Sequence, residues 1–394
     1  MSSRSQLETG RRDFLRALAL AAGGTALGGL AGCGDAAPAK AKGAAAATSR
    51  HGVVLGTGRF QGPDGKLVHT LARMDLDQRD ENALRVTPLG FFAHGVIRNP
   101  HAAEQVIAFE KHGPGCCLAD LREGRVIREI ETVAGREFYG HGVHSADGAL
   151  LYCTETEVDG DYRGVVAVRD ARTFELKGTF PTYGTEPHDM VLVDEGRLLA
   201  ITNGGDAPGG ERPPSVTYVD VNSEKLVEEL RFSTPRINAG HLAVAPDGDL
   251  AVVSAPRKGM MFERDVDDLG GVTLRHGKGE FRTMAGPADV VKRLLRESLS
   301  VAIHAPSGTV AVTNPDGNVV SFWNLAEGRF LSALDFPNPK GVAVTLDGAH
   351  FLVAHGGGID LAWVPTATLQ TAKVTRIKAP LLSGSHIVMY DPAA

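Results

Sequence analysis

The chain has 394 residues and a net charge of -6, and its 48 glycines and 21 prolines contrast with only 6% aromatic residues. This length fits one large all-β domain or two ordinary domains, and the turn-rich composition favours a β fold over a helical bundle. The acidic balance and the scattered basic residues exclude a protein that binds nucleic acid through a basic surface.

Residues 1–33 have the features of an export signal. The twin arginines Arg11 and Arg12 precede a mild apolar run, as in signals of the twin-arginine route. The run is too short and too rich in glycine and alanine to form a stable membrane span. It ends in LAGC at positions 30–33, which matches a bacterial lipobox, so we expect Cys33 to be acylated. The segment predicts a lipid-anchored periplasmic protein and leaves open which membrane holds it.

Residues 34–49 lack any large apolar residue and have low sequence complexity. This composition predicts a flexible tether between the lipid and a folded domain that spans residues 50–394.

A pattern recurs along the folded part of the chain, in which a short apolar strand precedes a turn such as Asp147-Gly148. Aspartate-glycine suits a tight hairpin because glycine adopts positive φ without a steric penalty. Counting back six residues from each turn reaches His94, His141, His188, His241, Val301, Gly341 and His386. These positions recur every 40 to 60 residues, with four short strands per unit. The repeat predicts a seven-bladed β-propeller.

The seventh unit has only its first strand, GSHIVMY, at the C-terminus. We expect N-terminal strands at about residues 53–55, 68–75 and 84–88 to complete this unit, so that the two ends of the chain close the ring. A segment with helical spacing of apolar residues, 288–297, predicts one helical insert and explains the longest interval between units.

Three cysteines remain in the folded domain, Cys116, Cys117 and Cys153. The periplasm is oxidising, so a disulfide between Cys153 and one of the adjacent pair is one prediction. Simple burial of the thiols is the alternative, and the absence of a CxxC spacing argues against a metal-thiolate site.

The five histidines in equivalent positions predict a metal site. The first strand of a propeller blade lines the central axis, so we expect His94, His141, His188, His241 and His386 to surround one mouth of the channel. Neutral imidazoles that converge suit iron, copper or zinc. The residues expected to support this site are Tyr139, Glu155, Glu186, Asn203 and His355.

A purely structural role is the alternative, because WD-type propellers use Gly-His pairs to hold blades together, and Gly140-His141 and Gly240-His241 are such pairs. The histidine of that family lies about eleven residues before the Asp-Gly turn, and here the interval is six.

Three stretches carry a resemblance to a known family: REFYGHGVHSADGALLYCTE, GTEPHDMVLVDEGRLLAITNGG and AGHLAVAPDG. Together with the twin-arginine signal, they resemble the domain-of-unknown-function family fifteen-thirteen over most of the chain after the tether. The resemblance implies a periplasmic seven-bladed propeller of the quinoprotein/YVTN type. Members are often encoded beside imelysin-like, iron-regulated proteins, which implies a role in iron handling. The resemblance supplies no catalytic residues.

The leading hypothesis is a monomeric, lipid-anchored propeller that binds a transition metal, or a metal-bearing partner from periplasmic metal uptake, at the histidines. A second hypothesis is a lactonase-like hydrolase in which Glu155, Asn203 and Asn314 hold a divalent cation that polarises a carbonyl. A third is an interaction scaffold without catalytic activity.

Overall fold

The computed structural model describes residues 50–78, 83–159, 161–207, 209–257, 268–377 and 379–392. The predicted export signal, its lipidation site Cys33 and the predicted tether lie outside these residues. Within the described ranges, no helix is both long enough and apolar enough to cross a membrane.

The described part of the chain is built almost entirely from short strands. In chain order, the first fourteen are β1 Val53–Gln61, β2 Leu67–Asp75, β3 Leu84–Leu89, β4 Ala93–Arg98, β5 Gln105–Gly113, β6 Cys116–Asp120, β7 Arg125–Glu129, β8 Arg136–His144, β9 Leu150–Glu157, β10 Arg163–Asp170, β11 Leu176–Thr185, β12 Pro187–Val193, β13 Leu198–Asn203 and β14 Ser215–Asp220. The others are β15 Leu226–Arg231, β16 Leu242–Val244, β17 Leu250–Ser254, β18 Gly271–Arg275, β19 Arg282–Thr283, β20 Ser300–His304, β21 Thr309–Asn314, β22 Val319–Asn324, β23 Arg329–Asp335, β24 Val342–Val344, β25 His350–His355, β26 Asp360–Pro365, β27 Lys373–Arg376 and β28 Ile387–Tyr390.

The strands form the sheets of a β-propeller. Five sheets have four antiparallel strands each, in the orders β28-β1-β2-β3, β12-β13-β14-β15, β16-β17-β18-β19, β20-β21-β22-β23 and β24-β25-β26-β27. Strands β4 to β11 form a single eight-stranded sheet, in which each half repeats the strand order of a blade. The prediction of an all-β propeller is confirmed. The prediction of seven blades is wrong, because the described strands form five four-stranded sheets and one eight-stranded sheet.

The eight-stranded sheet exists because β5 is longer than its pairing with β6 requires. Phe109 pairs with Cys116 at the end of β6, and β5 continues to Gly113. Its last residues pair with β8, Lys111 with Tyr139 and Gly113 with Phe138. This extension joins two meanders that would otherwise be separate, and it carries Lys111 inward.

The two ends of the described chain meet in one sheet. Strand β1 pairs with β28 from Val53 opposite Tyr390 to Gly56 opposite Ile387, and β2 and β3 follow on the other side. The predicted closure by N-terminal strands is therefore present. It pairs the inner edge of β1 with β28, so this edge is not open to another chain.

The innermost strands contact one another in a closed ring, β4 to β8, β12, β16, β20, β24, β28 and back to β4. The strands behind them are buried on both faces, and every residue of β13 and β21 is buried. Burial from both sides explains the weak alternation of apolar and polar residues in the sequence.

The predicted helix at 288–297 is much shorter in the structure. The α-helix α1 spans only Ala288–Val291. Beyond it the backbone pairs with another segment, where Gly270 N–H donates to the carbonyl of Leu294 and Arg296 N–H donates to that of Asp268. These bonds replace the later helical turns while Leu294 stays buried.

All three cysteines of the folded domain are free and buried. Cys116 and Cys153 pack in one apolar cluster with Phe109 and Phe138. Burial raises the pKa of each thiol, to about 12 for Cys117 and further for Cys116 and Cys153. The predicted disulfide is absent, and the alternative of buried thiols is what the structure has.

Candidate metal centre

Five imidazole rings converge at the centre of the propeller, from residues that are far apart in the sequence. The ring centroids of His241 and His386 are 3.9 Å apart, those of His188 and His241 are 4.2 Å apart, and those of His94 and His141 are 5.0 Å apart. The prediction that these histidines meet is therefore correct as geometry.

Strand register explains the convergence. His94 and His188 are the second residues of β4 and β12, and His141 lies within β8. His241 and His386 immediately precede β16 and β28. Four of the five lie at or just before the start of an innermost strand, and His141 lies further along β8, so the ring of strands brings their side chains together.

His94 Nε2 lies within hydrogen-bond distance of two other Nε2 atoms. His94 Nε2 lies 2.9 Å from His241 Nε2 and 3.2 Å from His188 Nε2. A neutral imidazole carries one N–H, so a proton on His94 Nε2 satisfies only one of these contacts. A cation shared by His94 Nε2 and His241 Nε2 would satisfy both of these nitrogens.

Two of the rings are oriented by acceptors on their far side. His241 Nδ1 lies 2.5 Å from the carbonyl oxygen of Leu299, and His141 Nδ1 lies 3.1 Å from Asp189 Oδ1. A carbonyl accepts and cannot donate, so His241 carries its proton on Nδ1 and presents the lone pair of Nε2. This is the arrangement that metal-ligating histidines usually have.

The remaining Nε2 atoms are free to bind. The Nε2 atoms of His141 and His386 are buried, and neither has a hydrogen-bond partner among the described residues. A buried polar atom without a partner is costly, which supports a ligand at this place. Donor atoms of four rings, those of His94, His141, His241 and His386, lie within 4.8 Å of one another.

Burial keeps the cluster uncharged. It lowers the pKa of all five histidines, with the charge of Lys111 lowering it further. The pKa falls to about 3 for both His141 and His386. The imidazoles are therefore neutral at neutral pH, which is the state that coordinates metals.

Asp189 supports His141 from a buried position. Burial raises its pKa to about 6, and backbone hydrogen bonds from Leu242 and Met190 lower it in part. These N–H groups lie 3.1 Å from Oδ2 and 2.8 Å from Oδ1. With a pKa of about 6, Asp189 is ionised at neutral pH, and its Oδ1 lies close enough to His141 Nδ1 to orient that ring.

Lys111 is the cationic neighbour of the cluster. Its Nζ lies 3.1 Å from His188 Nε2, where it donates to the ring nitrogen. Burial lowers the pKa of Lys111, whereas the carboxylates of Glu297, Glu186 and Asp189 raise it. These carboxylates offset the positive charge beside the rings.

Two of the predicted supporting residues are next to the cluster. The ring centroid of Tyr139 is 6.3 Å from that of His188, and Lys111 Nζ lies 5.7 Å from the Tyr139 ring. Burial raises the pKa of Tyr139, and its hydrogen bond to Glu186 raises it further. Tyr139 and Glu186 therefore form a polar border of the histidine cluster.

The other predicted supporting residues make their contacts elsewhere, and neither ring nitrogen of His355 has a hydrogen-bond partner among the described residues. Glu155 forms a buried ion pair of 2.8 Å with Arg169. Asn203 bonds to Thr182 and Thr217, and the ring of His355 packs against Phe336. In the described part of the chain, no hydrogen bond, ion pair or ring contact joins Glu155, Asn203 or His355 to the five histidines, so their supporting role stays a prediction.

The proposed lactonase ligands are likewise separate. Besides Glu155 and Asn203, this set included Asn314, whose side chain donates to the carbonyls of Leu295 and Glu297 and accepts from Gly317 N–H. Side chains engaged in such different local bonds do not form a common cation site, so the arrangement gives no support to the hydrolase hypothesis.

Sequence reasoning missed Lys111 and Asp189. Lys111 lies near the tip of a second strand, and counting strand tips in the first unit as in the others points to the end of β5. Asp189 directly follows a ring histidine in PHDM. An acidic residue next to a ring histidine is a signal for an orienting carboxylate.

Comparisons with known proteins agree with this fold and assign no activity. Hydrazine synthase of Kuenenia stuttgartiensis has a similar structure, with a TM-score of 0.61 at 15% identity over 84% of this chain and 100% of that chain. At this identity the likeness concerns the fold alone. No curated protein matches the chain. The family model described as protein of unknown function (DUF1513) matches residues 87–388. Because this match covers most of the sequence, the chain belongs to the DUF1513 family.

Proposed function

We propose that this protein binds one first-row transition-metal ion at the centre of the propeller, with His94, His141, His241 and His386 as ligands. His188 completes the cluster and is held by Lys111. The observation that carries the proposal is the convergence of buried, neutral Nε2 atoms, of which those of His141 and His386 have no partner among the described residues. Four imidazoles suit copper, zinc or iron.

The proposed setting is the periplasm. The twin-arginine signal and the lipobox at Cys33 support export and lipid anchoring. The resemblance to a family encoded beside iron-regulated proteins supports a role in iron handling, by uptake, delivery or sensing, with a periplasmic metal-uptake protein as the partner. This role needs a bound ion and no catalytic residue.

The test is metal binding by the purified folded domain and its variants. Equilibrium dialysis against iron(II), copper(II) or zinc(II), followed by elemental analysis, measures stoichiometry and affinity. We expect His141→Ala combined with His241→Ala to lower the affinity of the central site at least 100-fold, because two ligands and both oriented rings are lost.

The matched control is His144→Ala, which removes another partly buried histidine from the same strand as His141. This variant is expected to keep wild-type affinity. Unchanged binding in a folded His141→Ala and His241→Ala variant, confirmed by circular dichroism, would refute the proposal.

A further inference from the structure

A second group of metal-ligand side chains lies at the other end of the inner strands. His51 precedes β1 by two residues, and Val53 pairs with Tyr390, the last residue of β28. His386 lies just before the first residue of the same strand. At roughly 3.3 Å per residue, the two histidines are about 20 Å apart along the strand direction. The second group is therefore independent of the central cluster.

The group consists of His51, Asp347 and His350. One donor atom from each of the three residues lies within 4.8 Å of the other two. His51 Nδ1 and Asp347 Oδ2 are 3.0 Å apart. Two ligand atoms bound to one tetrahedral zinc ion are about 3.3 Å apart, so this pair needs little movement to share an ion.

His350 contributes an unsatisfied nitrogen. Its Nδ1 is buried and has no hydrogen-bond partner within the described part of the chain. The two carboxylate oxygens of Asp347 have different partners. Oδ1 accepts from Ala349 N–H at 3.0 Å, and Oδ2 faces His51. One carboxylate oxygen is thus fixed by the hairpin and the other is available as a ligand.

The backbone holds His51 in place. Its N–H donates to Asp77 Oδ1 at 3.0 Å, and its carbonyl accepts from Leu346 N–H at 3.0 Å. Leu346 directly precedes Asp347, so the two ligand-bearing segments are joined by a hydrogen bond one residue away from the group. This preorganisation lowers the entropy that binding costs.

Trp363 borders the group on one side. Its ring centroid is 5.1 Å from that of His51 and 5.5 Å from that of His350. The side chains of His51 and Asp347 remain 33% and 17% exposed, so a hydrated ion can reach them. Three protein ligands leave a coordination position for water.

We infer that His51, Asp347 and His350 form a second binding site, for a divalent first-row transition-metal ion such as zinc(II). Two imidazoles and one carboxylate are a donor set that these borderline ions accept. The ion links His51, two residues before β1, to the hairpin between β24 and β25, and so joins the sheet that closes the propeller to its neighbour.

Zinc(II) binding measured by equilibrium dialysis and elemental analysis tests this site. We expect two zinc ions per wild-type chain and one in the variant that combines His51→Gln with His350→Gln. If the double variant does not fold, the single variant His350→Gln replaces it in the test. We expect this change to lower the zinc affinity of the second site at least 10-fold. The control is His276→Gln, which breaks an exposed His–Asp pair with Asp249 that has no third ligand in the described structure.

Copper(II) gives a local readout at the same site, since it quenches the fluorescence of a nearby tryptophan. Quenching of Trp363 is expected to persist when His141 and His241 are changed to alanine and to disappear with His51→Gln and His350→Gln. If the central histidines bind no metal, copper is still expected to quench Trp363. The two proposals can therefore be tested separately. Unchanged zinc stoichiometry in a folded His51→Gln and His350→Gln variant overturns the inference.

Discussion

At the scale of single residues, the decisive feature is how each imidazole is oriented. His241 Nδ1 donates to the carbonyl of Leu299, and His141 Nδ1 lies beside the carboxylate of Asp189, so each ring has its Nδ1 directed away from its Nε2 lone pair. Burial keeps these rings neutral. Burial of the Asp189 carboxylate costs desolvation energy. Histidines that served only to pack the centre of the propeller would not require this carboxylate.

Asp189→Asn tests this orientation directly. The amide cannot offer a charged acceptor to His141 Nδ1, so we expect the affinity of the central site for zinc(II) to fall about 10- to 100-fold with the fold unchanged. Dialysis with elemental analysis measures the affinity. Asp64→Asn, at an exposed turn, is the matched control and is expected to have no effect. Equal affinities in both variants would show that Asp189 does not support the site.

The residue scale also marks where sequence reasoning succeeds. Counting back from the turn after each first strand placed His94, His141 and His386 in equivalent positions, and equivalent positions on inner strands converge. The same counting cannot show that β5 continues into a pairing with β8, so the contact of Lys111 with His188 was missed. Glu155 was expected to support the site, but it pairs with Arg169.

At the scale of elements, the closing sheet joins the two ends of the chain. Leu55 in β1 is 1% exposed and packs with Leu71 of β2 and Tyr390 of β28 in one cluster. Register made the closing strands predictable. The length of the helix after Pro287 was less predictable. The residues that follow it pair with the segment around Asp268 and Gly270, whose sequence has no periodic pattern of apolar residues.

Leu55→Ala should reveal how much this closure contributes to stability. Removal of a buried leucine side chain is expected to lower the free energy of unfolding by about 2–5 kcal/mol, since the cavity has atoms of three strands around it. Urea denaturation followed by circular dichroism measures the change. Leu67→Ala in β2, at a position 54% exposed, is the control, with an expected change within about 0.5 kcal/mol. A similar small change for Leu55→Ala would mean that the closing sheet is loosely packed.

At the scale of the whole molecule, five buried neutral histidines make stability depend on pH. Their pKa values are lowered in the folded protein from the ordinary 6.5, to about 3 for His141 and His386. Below pH 6.5 these histidines therefore bind protons in the unfolded chain and stay unprotonated in the folded protein. The free energy of unfolding accordingly falls as the pH drops from about 6.5 toward 3. Asp189 has the opposite effect on the free energy of unfolding, because its pKa is raised to about 6 in the folded protein. The effect of the five histidines is larger, since Asp189 is a single group.

The metal-free protein should accordingly lose stability between pH 7 and pH 5, by up to about 2 kcal/mol for each histidine. Urea midpoints measured with a chelator present give this difference. A variant with His141→Gln and His386→Gln lacks two of the groups, so its loss on acidification is expected to be smaller. Equal losses in the variant and the wild type would contradict the buried, neutral state of these rings.

The most direct test of the central claim is X-ray absorption spectroscopy of the zinc-loaded protein, with His51→Gln and His350→Gln introduced so that only the central site is filled. The account predicts nitrogen ligands at about 2.0 Å with the multiple scattering of four imidazoles. A zinc ion surrounded by oxygen alone, or a folded protein that retains no zinc, would contradict it.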